Sequence, residues 1–231
     1  MSLASIPVFK GMPGEAITRL EQGSVTLEPR DGSTIFVQGD PADAVYAIVA
    51  GDGHVRIGAM DLRSKALMVE VFRAGEIFGE IGVIDGGNRT ATAVAEGRLQ
   101  LVKIRQAAFR AALASVPALG EALCRVMAQR LRRTYELFQD ATFERLEVRL
   151  VRQVLYLAAR EGRLTPQGTR LGHRLRQGDL ADLLGATTRS IISILNDWRA
   201  AGLVIYDAER ALLTVQDAAG LRAIIETERE R

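Results

Sequence analysis

Glycine-bearing turn pairs divide the first half of the chain into short β-rich runs. Asp31-Gly32, Gly39-Asp40, Gly51-Asp52 and Gly86-Gly87 separate segments that are rich in Val, Ile, Leu and Thr. Turn signals at this spacing are typical of a compact antiparallel sandwich or barrel, because each short strand must reverse to stay in its sheet. We therefore predict that residues 16–106 form an all-β unit.

The composition changes after this region, because glycine is almost absent from residues 107–161 and Ala, Leu, Arg and Glu dominate. This change predicts helix. Mostly apolar residues then recur at alternating steps of four and three, which is the spacing of one seam on a long helix. The seam consists of Gly120, Cys124, Met127, Leu131, Thr134, Phe138 and Ala141. A second stripe, formed by Leu119, Leu123 and Val126, is available to pack on the β unit.

Two apolar faces on one helix indicate that the seam mediates self-association. The alternative is a core helix that is buried inside a monomer. Thr134 favours self-association, because a polar residue is costly in a uniform core but fixes register or a ligand at an interface. We therefore predict a long dimerisation helix.

Basic residues concentrate in the middle of the chain. Although the formal net charge is only +2, residues 125–176 contain twelve arginines and five acidic residues. A positive field of this kind suits nucleic acid, but charge alone indicates such a partner only weakly.

Simple counts argue against several classes of protein. No apolar run approaches the roughly 18 residues of a membrane span, and the N-terminus lacks the features of an export signal, so we expect a cytoplasmic protein without a membrane partner. One cysteine and two histidines, His54 and His173, are too few for an iron–sulfur cluster or a structural zinc site, so no metal is expected. His54 is expected at the surface or in a turn. No nucleophile–histidine arrangement is apparent, which predicts no enzyme activity.

The C-terminal segment has the pattern of two short helices around a glycine turn. Apolar residues mark the inner face of each helix: Leu180, Leu183 and Leu184 on the first, and Ile191, Ile194, Leu195 and Trp198 on the second. Gly185 suits the turn and Thr187 suits the N-cap of the second helix. With a β-hairpin predicted at residues 204–215, the pattern indicates a winged helix-turn-helix.

The outer face of the second helix carries side chains of the kinds that read base edges. Thr188, Arg189, Ser193 and Asn196 lie on this face, and Arg suits guanine, Asn suits adenine, and Ser or Thr suit several bases. We predict that these four residues, together with Thr187, contact double-stranded DNA. The alternative is an ordinary pair of packed helices.

An acid and a base stand together in a glycine-rich, otherwise apolar stretch, the sequence FGEIGVIDGGNRTATAVAEG at residues 78–97. Glu80 and Arg89 are costly to bury unless a partner satisfies them. A cyclic nucleotide presents one phosphate charge and one free ribose hydroxyl, which a guanidinium and a carboxylate can bind. The neighbouring glycines would leave backbone N–H groups free for an anion. The alternative is a structural salt bridge between Glu80 and Arg89.

Residues 78–95 of this stretch resemble the phosphate-binding cassette of cyclic nucleotide-binding domains, whose common form is Phe-Gly-Glu, a small apolar run, and Arg-Thr/Ala-Ala. The upstream GDPADAVYAIVAGDGHVRI, residues 39–57, is similar to the glycine-punctuated strands that precede the cassette. Together with the long helix and the winged helix-turn-helix, the resemblance covers nearly the whole chain. It is a resemblance to the Crp/Fnr family of bacterial transcription regulators.

The resemblance implies a cyclic nucleotide effector and its contacts. These contacts are Arg89, Thr90 and the backbone of Ala91 for the phosphate, Glu80 with Gly79 and Ile81 for the 2′-hydroxyl, and Thr134 with Tyr135 for the base. Thr90 favours cyclic GMP, because its hydroxyl can bond a syn guanine. Thr134 matches a helix threonine that contacts adenine, although Tyr135 stands where a serine of the partner subunit is expected. Cyclic AMP is favoured over cyclic GMP, and an empty site or another anionic ligand is the remaining alternative.

The expected fold is therefore α+β. It comprises an N-terminal β-roll (a double-stranded β-helix or jelly roll) at residues 1–115, a dimerisation helix and hinge at residues 116–145, and a winged helix-turn-helix at residues 146–231. The hinge is expected near residues 140–147. The resemblance further implies a homodimer that binds double-stranded DNA and acts with RNA polymerase. A function of another class is a cyclic nucleotide-binding module that docks on a partner protein.

Overall fold

The structure is a computed structural model that describes residues 2–60, 66–172 and 174–229. His173 lies outside the described residues. The chain divides into two compact units, Met1–Arg133 and Thr134–Arg231. The predicted α+β architecture is confirmed: a β-sheet unit comes first, a long helix follows, and a helix-turn-helix lies in the C-terminal part.

The described strands of the first unit form two four-stranded antiparallel sheets, with strand orders β1-β8-β3-β6 and β2-β7-β4-β5. The strands are β1 Ser24–Leu27, β2 Thr34–Phe36, β3 Ala44–Gly51, β4 His54–Met60, β5 Ala66–Phe72, β6 Ile77–Phe78, β7 Thr92–Glu96 and β8 Leu99–Arg105. Three of the predicted turn pairs lie between consecutive strands, so the β-rich runs were placed correctly. At Gly51 the backbone has φ of 121°, and a Cβ would lie 2.1 Å from the carbonyl oxygen of Arg98, so this turn requires glycine.

The prediction that residues 16–106 are all-β is wrong at two places. Helix α1, Gly14–Gln22, precedes the first strand and buries Ile17 and Leu20 against the β unit. Helix α2, Glu80–Asp85, lies within the glycine-rich stretch. Both ends of α2 are glycines in the left-handed region, because only glycine adopts that backbone without strain, and these glycines define a single short helix rather than a strand pair.

Residues 107–161 are helical as predicted, but the described structure divides them into α3 Gln106–Ser115, α4 Pro117–Phe143 and α5 Leu146–Glu161. Val116 is extended because the residue before a proline is restricted, and this ends α3. In the described ranges no single helix is both long and apolar enough to cross a membrane, and one bent pair, α3 with α4, meets that test by length and composition only.

Helix α4 has the two faces that the sequence predicts. Leu119 and Leu123 are buried, and Val126 packs beside them in the core of the β unit. The seam is different, because Leu131 is 53% exposed and Phe138 is 68% exposed. The alternative of a core helix buried within a single chain therefore does not hold for this face.

In the second unit the helix-turn-helix buries most of the predicted inner face, although Leu183 and Ile194 are only half-buried. Its described elements are α5, β9 Arg163–Thr165, β10 Gly168–Arg170, α6 Gln177–Leu184, α7 Thr188–Ala200, β11 Val204–Asp207, β12 Leu212–Val215 and α8 Ala218–Arg229. The sheet order is β11-β12-β10-β9, so the predicted hairpin β11–β12 extends into a larger sheet. Strands β9 and β10 were missed because they occupy a segment read as a break, and α8 was not predicted.

The turn chemistry of the helix-turn-helix is also as predicted. Gly185 ends α6 with φ of 61°, and the hydroxyl of Thr187 accepts a hydrogen bond from the backbone N–H of Ser190 at 3.2 Å. Leu195 and Trp198 are fully buried. The indole Nε1 of Trp198 donates to Glu147 at 2.9 Å, which ties α7 to α5.

Residues 144–145 separate α4 from α5, inside the segment predicted as a hinge. Arg152 on α5 donates to the buried carboxylate of Asp140 on α4 and to Glu144 at 2.7 Å. One guanidinium therefore holds both sides of the break.

His54 is a buried strand residue and not the surface or turn residue that was expected. It lies opposite Glu96 on the neighbouring strand, with 2.9 Å between His54 Nε2 and Glu96 Oε2. Arg56 donates to the other carboxylate oxygen at 2.8 Å. The hydrogen bond with His54, reinforced by that from Arg56, outweighs the effect of burial and lowers the pKa of Glu96 to about 2.

Candidate functional site

Arg89 lies in the segment between α2 and β7, and its backbone is fixed by the loop that follows β2. Its N–H donates to Asp40 at 2.8 Å and its carbonyl accepts from Gly39 at 2.9 Å. The residue is only 3% exposed. The fold therefore places a permanent cation in the interior of the β unit, where an unsatisfied charge would be costly.

The guanidinium of Arg89 has three defined contacts. Its Nη1 donates to the carbonyl of Gly79 at 2.6 Å, and its Nη2 donates to Asp43 at 3.0 Å. It stacks over the ring of Phe36, 4.2 Å from the ring centroid. Its Nε is buried without a hydrogen-bond partner among the described residues. One donor of this buried cation is therefore still available.

Asp43 does not neutralise the site. Its second carboxylate oxygen accepts from Lys103 Nζ at 2.6 Å, so one acid is shared by two cations. Burial alone would raise the pKa of Asp43, but the hydrogen bond and charge of Lys103, with those of Arg89, hold this pKa below its usual value. The group of three carries a net positive charge, which favours an anion.

Glu80 is the first residue of α2 and is 2% exposed. Its Oε1 accepts from Arg130 Nη1 at 2.7 Å, and Arg130 Nη2 donates to the carbonyl of Ile77 at 2.6 Å. The other oxygen, Oε2, is buried and accepts no hydrogen bond from the part of the chain that the structure describes. Glu80 thus presents a single free acceptor beside an ion pair that keeps its charge compensated.

The interpretation of Glu80 and Arg89 as a structural salt bridge is wrong. Arg89 pairs with Asp43, and Glu80 pairs with Arg130. Each charge has its own partner, and each retains one polar atom that no described residue satisfies. Both groups therefore have a polar atom that is available to a further partner, as the sequence indicated.

Four aromatic rings connect the two ion pairs. Phe78 is stacked with Tyr46 at 5.2 Å and with Phe72 at 6.1 Å between centroids, and it lies 6.0 Å from Phe36. Arg89 stacks on the Phe36 end of this group, and Arg130 stacks over Phe72 at 4.5 Å. The aromatic group therefore gives both guanidinium groups a firm apolar support.

Gly79 and Gly82 are required by close contacts. At Gly79, φ is 75° and a Cβ would lie 2.6 Å from Arg89 Nη1; at Gly82 a Cβ would lie 2.7 Å from Ala42. The expectation that the glycines leave N–H groups free is wrong for two of them. The N–H of Gly86 donates to Gly82, and that of Gly87 donates to the Asp85 carboxylate at 2.8 Å.

The other residues assigned to the ligand by resemblance lie in different places. Thr90 is exposed and Ala91 is buried directly after Arg89, while Ile81 is 44% exposed directly after Glu80. Thr134 and Tyr135 lie on α4 in the second unit, and both are exposed. Contact of any of them with a nucleotide stays a prediction.

Sequence reasoning missed Arg130, Asp43 and the aromatic group. Arg130 is 50 residues from Glu80 along the chain, and Asp43 is 46 residues from Arg89. Neither carries a local pattern that distinguishes it from a solvated charge. Phe78 was part of the quoted stretch, but only the folded sheets show that its ring joins the two arginines.

Helix α7 presents the predicted polar face. The exposed side chains are Thr188, Arg189, Ser193 and Asn196, while Ile191, Leu195 and Trp198 on the opposite face are buried. Arg189 makes no hydrogen bond or ion pair with the described residues. The face is therefore built to meet a polar partner, and base contacts by these residues and by Thr187 stay predictions.

Comparison with known proteins agrees with this division of the chain. Residues 26–116 match the family model of the cyclic nucleotide-binding domain, and residues 148–224 match that of the Crp-like helix-turn-helix domain. The CRP-like cAMP-activated global transcriptional regulator of Mycobacterium tuberculosis is 29% identical over 221 residues, which is 96% of this chain and 98% of the relative. The cyclic AMP receptor protein of Thermus thermophilus is 28% identical over 199 residues, 86% of this chain and 88% of the relative.

Among solved structures, the c-di-GMP responsive global regulator CLP of Xanthomonas campestris superposes with a TM-score of 0.76 at 22% identity, covering 89% of this chain and all of that one. At this identity the superposition shows the fold alone. The two domain matches in their order, together with relatives aligned along almost the full chain, assign the protein to a family. The chain belongs to the Crp/Fnr family of cyclic nucleotide-binding transcription regulators, which bind DNA and are not enzymes.

Proposed function

We propose that the protein is a homodimeric regulator whose binding to double-stranded DNA is controlled by cyclic AMP. One observation carries the effector part of this proposal. Two buried groups of opposite charge, Glu80 and Arg89, each have a paired side and an unsatisfied polar atom. A free acceptor and a free donor with net positive charge match the ribose hydroxyl and the phosphate of a cyclic nucleotide.

The chemistry of each contact follows from these charges. Arg89 supplies charge-assisted hydrogen bonds to the phosphate, with Thr90 and the backbone of Ala91 beside it. Glu80 accepts a hydrogen bond from the 2′-hydroxyl, with Gly79 and Ile81 next to it in the chain. No contact requires a metal, because the cation is already provided by the protein.

The base is the less constrained part of the ligand. Thr134 and Tyr135 are proposed to contact adenine, whereas Thr90 is suited to guanine. A relative whose name states that it is cAMP-activated aligns over 96% of this chain, which supports cyclic AMP. Cyclic GMP is the alternative effector, and it must be tested beside cyclic AMP.

The seam on α4 is proposed to be the dimer interface. Its residues Leu131 and Phe138 are 53% and 68% exposed, and Tyr135, which follows the seam residue Thr134, is 61% exposed. Large apolar side chains in a line at this spacing are typical of a helix that pairs with a second copy. A two-fold dimer would place two copies of α7 about one DNA turn apart, roughly 34 Å, to read two half-sites.

The proposed domains are a nucleotide-binding domain at residues 1–115, a dimerisation helix and hinge at residues 116–145, and a DNA-binding domain at residues 146–231. Cyclic AMP acts by preferring the conformation that binds DNA. A ~100-fold preference for that conformation corresponds to about 2.7 kcal/mol. The protein is further proposed to act in the cytoplasm and to regulate transcription through RNA polymerase.

Thermal unfolding in the presence of nucleotides tests the effector. At 100 times its Kd, cyclic AMP is expected to raise the free energy of unfolding by ~2.7 kcal/mol, and cyclic GMP by less at the same concentration. Arg89→Gln is expected to lose the shift, whereas Arg125→Gln, which changes an exposed arginine on α4, is expected to keep it. Unchanged unfolding curves with both nucleotides would rule out a cyclic mononucleotide effector.

A gel shift on genomic fragments, with and without nucleotide, tests the DNA-binding part. The proposal expects retarded fragments whose binding falls with salt and rises with cyclic AMP. A protein that binds cyclic AMP but retards no fragment under any condition would instead be a module that docks on a partner protein.

A further inference from the structure

Two arginines lie opposite each other in the hairpin that β9 and β10 form. Arg163 and Arg170 are register partners in this antiparallel pair, and both are exposed. Side chains at directly opposite positions have Cβ atoms about 4.5–5.5 Å apart, and two like charges there are destabilising. Neither guanidinium makes a hydrogen bond or an ion pair within the described ranges. The pair therefore does not stabilise the fold, and its two exposed positive charges are suited to binding an anion from outside the protein.

The hairpin continues the sheet of the predicted wing. Arg170 is the register partner of Thr214 on β12, so the arginine pair lies on the same face of the sheet as Thr214. Beyond β10, Leu171 N–H donates to Leu213 at 2.9 Å and Leu175 N–H donates to Ala211 at 2.7 Å. Leu175 therefore lies beside the turn between β11 and β12.

The distance from the arginine pair to that turn is short. Thr214 lies two residues from the start of β12 at Leu212, which at about 3.3 Å per residue is roughly 7 Å, and the turn ends directly before Leu212. Two further exposed arginines, Arg174 and Arg176, lie on the connecting segment directly before α6 begins at Gln177. Basic side chains thus run from the edge of the sheet to the wing turn and the first helix of the helix-turn-helix.

Two acidic groups at this end of the unit are already engaged, while Glu209 in the wing turn is exposed. Asp179 accepts the N–H of Arg176 at 2.8 Å, and Asp207 accepts the N–H of Arg210 at 3.0 Å. These acids cap the first helix and the wing turn. Neither acid makes a hydrogen bond or an ion pair with the arginine pair among the described residues, so the positive charge of the pair stays available to an external partner.

From these observations, and resting on the DNA-binding function proposed above, we infer that Arg163 and Arg170 form a phosphate site for duplex DNA that flanks the bases read by α7. Adjacent guanidinium groups suit phosphate oxygens, because each can donate two parallel hydrogen bonds. The site positions the duplex and carries no sequence information. A duplex is favoured over an acidic peptide because the pair belongs to the sheet of the wing and to the arginine series that ends at α6.

Fluorescence anisotropy with duplexes of two lengths tests this inference. The genomic fragment that binds best is shortened to the bases that α7 covers, and a second duplex extends it by one helical turn on each side. For the double variant Arg163→Gln/Arg170→Gln, the slope of log affinity against log salt on the long duplex is expected to fall by about 1 to 2 per subunit, on specific and random sequence alike. On the short duplex, its affinity is expected to match the wild type.

The matched control is Arg222→Gln, which removes an exposed arginine from α8 in the same unit and is expected to change neither the slope nor the affinity. The double variant is also expected to melt no lower than the wild type, because the like-charge contact is gone. A slope on the long duplex equal to that of the wild type would overturn the phosphate site while leaving the proposed function intact. A wild-type protein that binds neither duplex would overturn the proposed function itself.

Discussion

The most discriminating perturbation of the nucleotide site removes one hydroxyl from the ligand and one charge from the protein. Glu80 is buried. Its Oε1 accepts a hydrogen bond from Arg130, and its Oε2 has no hydrogen-bond partner among the described residues. If this free oxygen accepts the ribose 2′-hydroxyl, 2′-deoxy cyclic AMP must bind more weakly than cyclic AMP. The Glu80→Gln variant must show a smaller difference between the two ligands.

The expected size follows from the type of bond. A hydrogen bond to a charged group contributes about 1.5–3 kcal/mol, and 1.4 kcal/mol is a tenfold change in affinity. The wild type should therefore prefer cyclic AMP over its 2′-deoxy analogue by roughly 10-fold to 150-fold. In Glu80→Gln the acceptor is neutral, a typical neutral hydrogen bond contributes about 1 kcal/mol, and the preference should fall to about 5-fold or less.

Isothermal titration calorimetry with both ligands measures the four affinities. Glu121→Gln is the matched control, because Glu121 is an exposed acid on α4 whose partner, Arg125, is also exposed. It is expected to retain the full preference of the wild type. Equal affinity of the wild type for the two ligands, or an unchanged preference in Glu80→Gln, would refute the assignment of Glu80 to the ribose.

Three further perturbations address the scaffold, the pH response and the interface. Gly79→Ala should destabilise the protein by at least ~1 kcal/mol more than Gly86→Ala in urea unfolding. Both glycines have positive φ, but only at Gly79 would a Cβ lie close to a side chain, 2.6 Å from Arg89 Nη1. Equal losses of stability in the two variants would contradict this contact. The pKa of Glu96 is depressed from 4.5 to about 2, so its contribution of up to roughly 3 kcal/mol is present above pH 4.5 and is lost as the pH falls towards 2. The stability gap between wild type and Glu96→Gln should therefore narrow over that range, and a gap that is independent of pH would count against the ion pair. Leu131→Glu should convert the dimer to monomer in sedimentation velocity while Leu131→Met should not, and a dimer in both variants would exclude the seam as the interface.

The parts of the fold that were predictable are those with a local physical signature. Turn glycines, the apolar spacing along α4, the Thr187 cap and the Gly185 turn each depend on a few neighbouring residues. Helix α2 was missed because it is six residues long, too short to show a helical period, and because its flanking glycines read as strand turns. Strands β9 and β10 were missed because each is only three residues long and is defined by its partners in the sheet, β12 beside β10 and β10 beside β9, rather than by its own sequence.

The same distinction holds for the candidate site. Glu80 and Arg89 were found because charges in an apolar stretch are conspicuous, and the alternative that they form a salt bridge with each other is wrong. Arg130 and Asp43 complete the two ion pairs from distant parts of the chain, and only the tertiary structure brings them there. Sequence therefore identified the two buried charges, while the folded chain showed which residues pair with them and which of their polar atoms stay unsatisfied.

The central claim is that nucleotide binding and DNA binding are coupled, and the most direct measurement is the affinity for cyclic AMP with and without a saturating amount of the best genomic duplex. Coupling between two sites is reciprocal, so the factor by which cyclic AMP tightens DNA binding must equal the factor by which DNA tightens cyclic AMP binding. We predict a factor of about 5 to 150, the same in both titrations. A cyclic AMP affinity that is identical in the presence and absence of bound DNA would contradict the account.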